Sequence, residues 1–353
     1  MTTDWLELAV HGLAYVRAAP PACGVLRRQP EDFRVTELPS VEPDGSGEHV
    51  WLWIRKRGEN TDHVAMLLSR LAGVHPRNIG YAGQKDRHAV TEQWFSVHLP
   101  GRAEPDWQGL DSDTISVLRH ARHGRKLQRG TLGGNEFVIT VREIAGTCAE
   151  LEERLQRVGT QGVPNYFGAQ RFGNGGGNLR TATQLFANPR MKLTHNRRSM
   201  ALSAARSLLF NRVLSRRVSD GSWNTVLPGD AMQLAGSHSF FVVDTIDAEL
   251  LQRLASHDIH ATGPLAGSGD SPVRDACRVL EAEVLAEFES LVQGLAKAGL
   301  KQERRALRLP VAGLCWQWLD ETTLELAFGL PAGCYATSVL RELVREKQPL
   351  AET

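Results

Sequence analysis

The segment Gly83-Gln84-Lys85-Asp86-Arg87 sets one carboxylate between two cations. Lys85 and Arg87 can keep Asp86 ionised, and an ionised carboxylate can attack carbon or abstract a proton. Gly83 lets the backbone come close to a ligand. Charge pattern alone describes a surface turn held by an ion pair more often than an active site. Other chemistries are served less well. Cys23, Cys148, Cys277, Cys315 and Cys334 are scattered and never form C-x-x-C, which argues against a disulfide framework and a zinc site, so they read as buried small hydrophobes. The run Gly173-Asn174-Gly175-Gly176-Gly177-Asn178 is followed by no G-K-[ST] and is not a P-loop. A phosphate-ester hydrolase built on Asp86 would need a metal, and the sequence supplies no second carboxylate close by to hold one.

Basic residues come in clusters: Arg27-Arg28, Arg55-Lys56-Arg57, Arg197-Arg198, Arg304-Arg305 and the run Arg119-His120-Ala121-Arg122-His123-Gly124-Arg125-Lys126, which Arg129 extends. Each pair alone reads as a solvated face. The long run points to phosphate, because like charges packed so densely repel unless an anion sits among them. The net charge of +1 would otherwise argue against a polyanionic partner. A non-catalytic RNA-binding protein or RNA chaperone would use the same patches. With 353 residues, 42% of them hydrophobic, the chain can form two domains. No apolar run approaches the roughly 20 residues that span a bilayer, and Met1-Thr2-Thr3-Asp4 lacks the basic start of a secretory signal. The expected compartment is the cytoplasm.

These residues need elements to hold them. Alternation predicts strands over 32–37 and 49–55, the latter with Val50, Leu52 and Ile54 opposite Trp51 and Trp53. Helical spacing over 62–71 follows Asn60 or Thr61 as cap, and Gly73 is its stop. A strand over 78–82 runs into the Asp86 loop, and others fit 93–99, 114–119 and 136–142. Strands joined this way predict a mostly antiparallel sheet flanked by helices, an α+β fold. From about Thr147 the texture turns helical, over 149–158, 203–219 and 274–298, before a strand over 323–328 and a helix through Leu340 and Leu343 close the chain. A closing strand and helix that rejoin the first sheet make the middle an insertion. The expected division is 1–155 with 310–353 around an inserted α/β domain, 156–309, with a cleft between them.

Four segments in order resemble the TruD family of tRNA pseudouridine synthases. They are the Asp86 segment, Gly133-Gly134-Asn135-Glu136-Phe137 (the family's G-N-x-F), Val163 to Gly173 (its N-Y-F-G-x-Q-R-F-G), and Pro331-Ala332-Gly333-Cys334-Tyr335-Ala336-Thr337-Ser338 (its P-A-G-x-x-A-T-S). The resemblance runs from about Pro30 to about Glu342. It implies an enzyme that isomerises a uridine in tRNA, at position 13 in the bacterial members, without cofactor or metal, and as a monomer needing no protein partner or membrane.

On the matching positions Asp86 is the expected nucleophile, attacking the sugar or the base or removing a ribose proton. Arg27 stands shortly before the P-E-D-F segment where the family leads one to expect lysine, and is the expected charge partner. Phe137 matches the ring placed against the target base, although a lone Phe on a strand is ordinarily core. Asn135, on the same face, can hydrogen-bond the base or ribose, or serve only as a turn residue. Lys85, Phe33 and Phe328 are expected to line the same pocket. In the long signature Arg171 is expected to meet RNA, while Tyr166, Phe167 and Phe172 fit an RNA-facing loop and a core plug equally. Arg119, Arg122, Arg125 and Lys126 are the expected contacts to the RNA backbone.

Overall fold

The computed structural model describes residues 4–347. Strands and helices, numbered along the chain, are β1 (Cys23–Leu26), β2 (Phe33–Pro39), β3 (His49–Arg57), α1 (Thr61–Leu71), β4 (Ile79–Tyr81), β5 (Val90–His98), β6 (Ile115–His123), β7 (Leu132–Ala145) and α2 (Cys148–Gln161). Then come β8 (Val163–Pro164), α3 (Gly177–Ala187), α4 (His195–Ser219), β9 (Ala231–Leu234), β10 (Phe240–Val242), α5 (Ala248–Ala255), β11 (Ile259–Leu265), α6 (Asp275–Ala286) and α7 (Glu289–Lys297). The chain closes with β12 (Glu303–Ala306), β13 (Arg308–Leu309), β14 (Ala312–Trp318), β15 (Leu324–Pro331), α8 (Ala336–Leu343) and β16 (Arg345–Glu346).

Backbone contacts divide the chain into two compact units. One holds Pro21–Leu155, Val311–Ala336 and the residues from Leu343 onward; the other holds the residues up to Pro20, Gln156–Pro310 and Thr337–Glu342. Relative to the division expected from sequence, the first twenty residues and most of α8 fall on the other side. A terminal segment goes where its apolar face is buried, and neither place is written in local pattern.

The first unit is built on one large sheet, ordered β14-β15-β7-β2-β5-β3-β6, with β1, β4 and β16 attached. All its pairs are antiparallel except β2 with β5 and β1 with β16, so the fold is mixed α+β with a mostly antiparallel sheet. Alternation along β3 buries Val50, Leu52 and Ile54 against Val64 and Leu68 of α1, while Trp51 and Trp53 pack on the reverse face with Trp94 and Leu127. Both faces of this strand are covered, which is why apolar residues fill both parities. At the mouth of β2, buried Asp32 accepts from Nε and Nη2 of Arg142, at 3.0 and 2.7 Å, and this pair fixes where the strand that begins at Phe33 enters the sheet.

The second unit winds helices around α4, whose Ala204, Ala205, Leu208 and Leu209 are fully buried. Beside them lie the four-stranded sheet β10-β9-β11-β12 and the short pair β13-β8. The single helix expected over 274–298 is two, α6 and α7, parted at Glu287 and Phe288, where Phe288 leaves helical dihedrals (φ −124°, ψ 31°). No glycine or proline marks this break, so only packing could place it. The cysteines also depart from expectation: Cys277 is buried, but Cys148 and Cys315 are exposed. No helix among the described residues is long and apolar enough to cross a membrane.

Candidate active site

Residue pairing across the sheet decides what shares a face. Val35 of β2 lies opposite Phe137 of β7, and Glu37 opposite Asn135. Phe137 in turn lies opposite Phe328 of β15. On the other flank Val35 pairs with Thr91 of β5, which pairs with Lys56 of β3. Because side chains alternate with period two, Phe33, Glu37, Asn135, Phe137, Phe328, Gln93 and Lys56 all rise from one face. The rings of Phe137 and Phe328 stack with centroids 5.5 Å apart, and Phe33 meets Phe137 edge-on at 6.1 Å. All three are buried.

The Asp86 loop joins β4 to β5 over this face, and buried polar groups anchor it. Gln93 Nε2 donates to the carbonyl of Gly83 at 2.9 Å, and the hydroxyl of Thr61 accepts from Lys85 N at 3.0 Å while lying 3.1 Å from Gln93 Oε1. Lys56 Nζ donates to the carbonyls of Asp86 and Glu59, at 2.9 and 2.7 Å. Thr61, Gln93 and Lys56 are no more than 2% exposed. The side-chain ends of these bonds are therefore shielded from water, and the Thr61–Gln93 contact is wholly buried. Thr61, read from sequence as a possible helix cap, is the first residue of α1, and its hydroxyl serves the loop instead. Gly83 is not among the glycines at positive φ, and an added Cβ would meet only Leu132 at 4.0 Å, which leaves that side of the loop backbone open.

Two cations attend the carboxylate differently. Arg27 Nη2 stands 3.7 Å from Asp86 Oδ2. Its guanidinium carbon lies 4.3 Å from the Phe33 centroid, so the charge is held flat on a ring. Reaching this pose puts Arg27 at φ 54°, a left-handed conformation costly for a non-glycine residue, and leaves its Nε buried with no hydrogen-bond partner among the described residues. Lys85 turns away from Asp86 into the sheet. Its Nζ reaches Asn135 Oδ1 at 2.6 Å and Glu37 Oε2 at 3.1 Å, both side chains of the ion pair being nearly sealed from solvent. Burial pushes Lys85 below and Glu37 above their ordinary values, and their mutual attraction opposes both shifts.

Asp86, Arg27, Phe33, Lys85, Asn135, Phe137 and Phe328 thus gather in the first unit. Arg171 lies in the second, its Nη1 3.1 Å from Ser203 Oγ and its guanidinium over Phe167. The rings of Tyr166, Phe167 and Phe172 are core there. Asn211 brackets Phe167 through its backbone N and O, and Ser338 donates to the Tyr166 carbonyl. Of the expected backbone contacts, Arg119 packs over Trp94 at 4.7 Å and pairs with Glu42, and Arg122 is bound to Glu104 and to the carbonyls of Leu99 and Arg102. Arg125 and Lys126 are exposed. Glu37 and Lys56 went unmarked in the sequence, though each had a signal: Glu37 continues the inward parity of Phe33 and Val35, and Lys56 that of Val50, Leu52 and Ile54. A charge on a buried parity belongs to a site or a pair more often than to a solvated cluster.

A large, mostly antiparallel sheet thus carries an anchored acidic loop over an aromatic face. A crystal structure from Methanosarcina mazei, described as tRNA pseudouridine synthase D, superposes with TM-score 0.75 at 23% identity, covering 96% of this chain and 98% of that one. The model of the family tRNA pseudouridine synthase D (TruD) matches residues 10–192 and 177–343. The chain is 53% identical to the tRNA pseudouridine synthase D of Methylococcus capsulatus, over 91% of both chains. It is 49% identical to that of Nitrosococcus oceani over 96% of both. The chain belongs to the TruD family.

Proposed function

We propose that this protein converts uridine to pseudouridine in tRNA, at position 13, with Asp86 as the nucleophile. Beyond family membership, one observation carries the reading: a carboxylate on a rigidly anchored loop faces a guanidinium pinned to an aromatic ring. The reaction breaks the N-glycosidic bond, turns the uracil and rejoins it through carbon 5, losing the proton of that carbon. It needs a carboxylate that stays ionised as the site closes around the base. A charge left unpaired away from water is costly, and Arg27 at 3.7 Å supplies the opposite charge. Phe137 and Phe328 supply a flat apolar wall for the uracil. Asn135 supplies an amide for its edge or for the ribose, oriented by Lys85, which Glu37 holds in turn. No step calls for a cofactor.

A stacked base is reachable only after it swings out of the RNA, at a cost of a few kcal/mol, and phosphate contacts by exposed cations would offset that. In this reading the unit built on 21–155 and 311–336 is the catalytic domain, the inserted 156–309 adds Arg171 to the RNA surface, and the protein works as a monomer in the cytoplasm. Tritium release from carbon 5 of labelled uridine in tRNA transcripts tests it. Wild type should release label, and Asp86→Asn should release none while binding tRNA within about threefold of wild type, since the substitution removes charge but little contact. A non-catalytic RNA binder would release nothing in either form.

A further inference from the structure

Beside the catalytic loop lies a second concavity that the reaction does not use. It is a groove of about 830 Å³ lined by Asp62, Ala65 and Met66 of α1, by Arg77, by Ile79 to Tyr81 of β4, and by Lys126 to Arg129. Its cationic wall is built into the sheet. Trp51 Nε1 donates to the carbonyl of Arg125 at 2.9 Å, Leu127 N to Ser96 Oγ at 3.0 Å, and Gly130 N to the carbonyl of Ala82 at 2.8 Å. Lys126 Nζ donates to the carbonyl of Arg77. Gly80 is what allows this wall to lie so close, since a Cβ there would fall 2.3 Å from the carbonyl oxygen of Leu127.

The charges of the groove divide cleanly. Its acid, Asp62, is already engaged by Tyr81 Oη and by Gln84 Nε2, the latter at 3.1 Å. Its cations are not neutralised: among the described residues none of Arg77, Lys126 and Arg129 makes an ion pair, whereas Arg119 and Arg122 pair with Glu42 and Glu104. The groove also has an apolar side, with Met66 38% exposed and the Tyr81 ring 5.5 Å beneath the Arg129 guanidinium. It abuts the site directly, because Gln84, two residues before Asp86, holds the acid of its wall.

We propose that this groove seats a nucleotide of the substrate RNA flanking the one that reacts, its phosphate among Arg77, Lys126 and Arg129 and its base against Tyr81 and Met66. The inference rests on the proposed action on RNA. Unpaired fixed cations beside an apolar wall suit a single strand, which offers a phosphate and a flat ring together. An acidic protein segment would offer the charge without the ring.

The test is binding of an unmodified tRNA transcript, by fluorescence anisotropy across a salt series, to wild type, to the double variant Arg77→Gln with Arg129→Gln, and to Met66→Gln. Both arginines are exposed, and equal melting temperatures would show that the fold is kept. The double variant should weaken binding about tenfold or more and reduce the slope of log affinity against log salt by about 0.7, the value for one phosphate contact on a single strand. Its tritium-release kinetics should show the loss in KM more than in kcat. Met66→Gln should weaken binding with the slope unchanged. Polyuridylate should compete for the groove better than polyglutamate of equal charge. An unchanged slope in the double variant, or equal competition by the two polymers, would overturn the groove while leaving catalysis by wild type intact. Absence of tritium release by wild type would overturn the catalytic reading, and the salt slopes would still decide the groove.

Discussion

A lysine with no exposed surface and no carboxylate partner in hydrogen-bond contact is an unusual anchor, and Lys56 is one. Burial pushes its pKa down to about 8, against the pull of Asp86 and Glu59. The consequence has two signs. Between about 8 and the ordinary lysine value of 10.5 the unfolded chain binds the extra proton, so this group's contribution to stability rises with pH across that window. The charged anchor under Asp86 is lost over the same rise. Activity should therefore fall through about pH 8 while the urea midpoint moves the other way. Lys56→Met should show a kcat lowered about tenfold, since two buried carbonyls lose their donor, and should lack the alkaline fall near pH 8. An alkaline fall of wild-type shape in Lys56→Met would assign it to another group. Arg27 makes a different bargain, accepting a left-handed backbone to place its charge. Arg27→Gly and Arg27→Ala should both lose most turnover, but the glycine variant should be the more stable by about 1 kcal/mol, because only alanine retains the Cβ clash. Paired chemical denaturation curves would measure this.

At the scale of elements, the loop between β4 and β5 is held by three neighbours at once: β3 through Lys56, α1 through Thr61 and β5 through Gln93. Their bonds reach the loop through its backbone groups, so they fix where Asp86 stands. Thr61→Val keeps the shape and removes the hydroxyl, leaving Lys85 N and Gln93 Oε1 without a partner. It should cost about 1 to 3 kcal/mol of stability and lower kcat about tenfold, with tRNA affinity nearly unchanged. An affinity loss equal to the kcat loss would mean that the loop binds RNA rather than presenting the acid. The aromatic wall depends on register in the same way. Phe137 meets Phe328 only because β15 pairs with β7 in the observed alignment, and a slip of β15 by one residue would turn Phe328 to the opposite face.

For the whole molecule, a net charge of +1 hides an uneven field. The basic run that looked uniform in sequence is split by its surroundings. Its first half lies in edge strand β6, where Arg119 and Arg122 are bound to carboxylates, and its second half leaves the strand with its charges unpaired. Removing a cation that is already neutralised within the protein releases few counterions from the RNA. Arg122→Gln should therefore change the salt slope of tRNA binding by well under 0.5, and Arg125→Gln by about 0.8. Equal slopes from the two variants would show that Glu104 gives up Arg122 to the RNA.

Local chemistry made much of this molecule legible. Period-two alternation marked β2, β3 and β7 because a strand in a sheet sorts its residues by face. Four ordered segments marked the Asp86 loop, Asn135, Phe137 and Arg171, because they match the family's motifs in order. What only the tertiary structure decided was partnership between residues distant in sequence. Lys56 and Glu37 read as ordinary charges until strand register brought one under the Asp86 carbonyl and the other beside Lys85. The rings of the long signature became core through α4, and the cations of 119–129 were sorted by acids at Glu42 and Glu104. Burial and pairing are properties of neighbours in space, and a charge declares its role only when those neighbours are known.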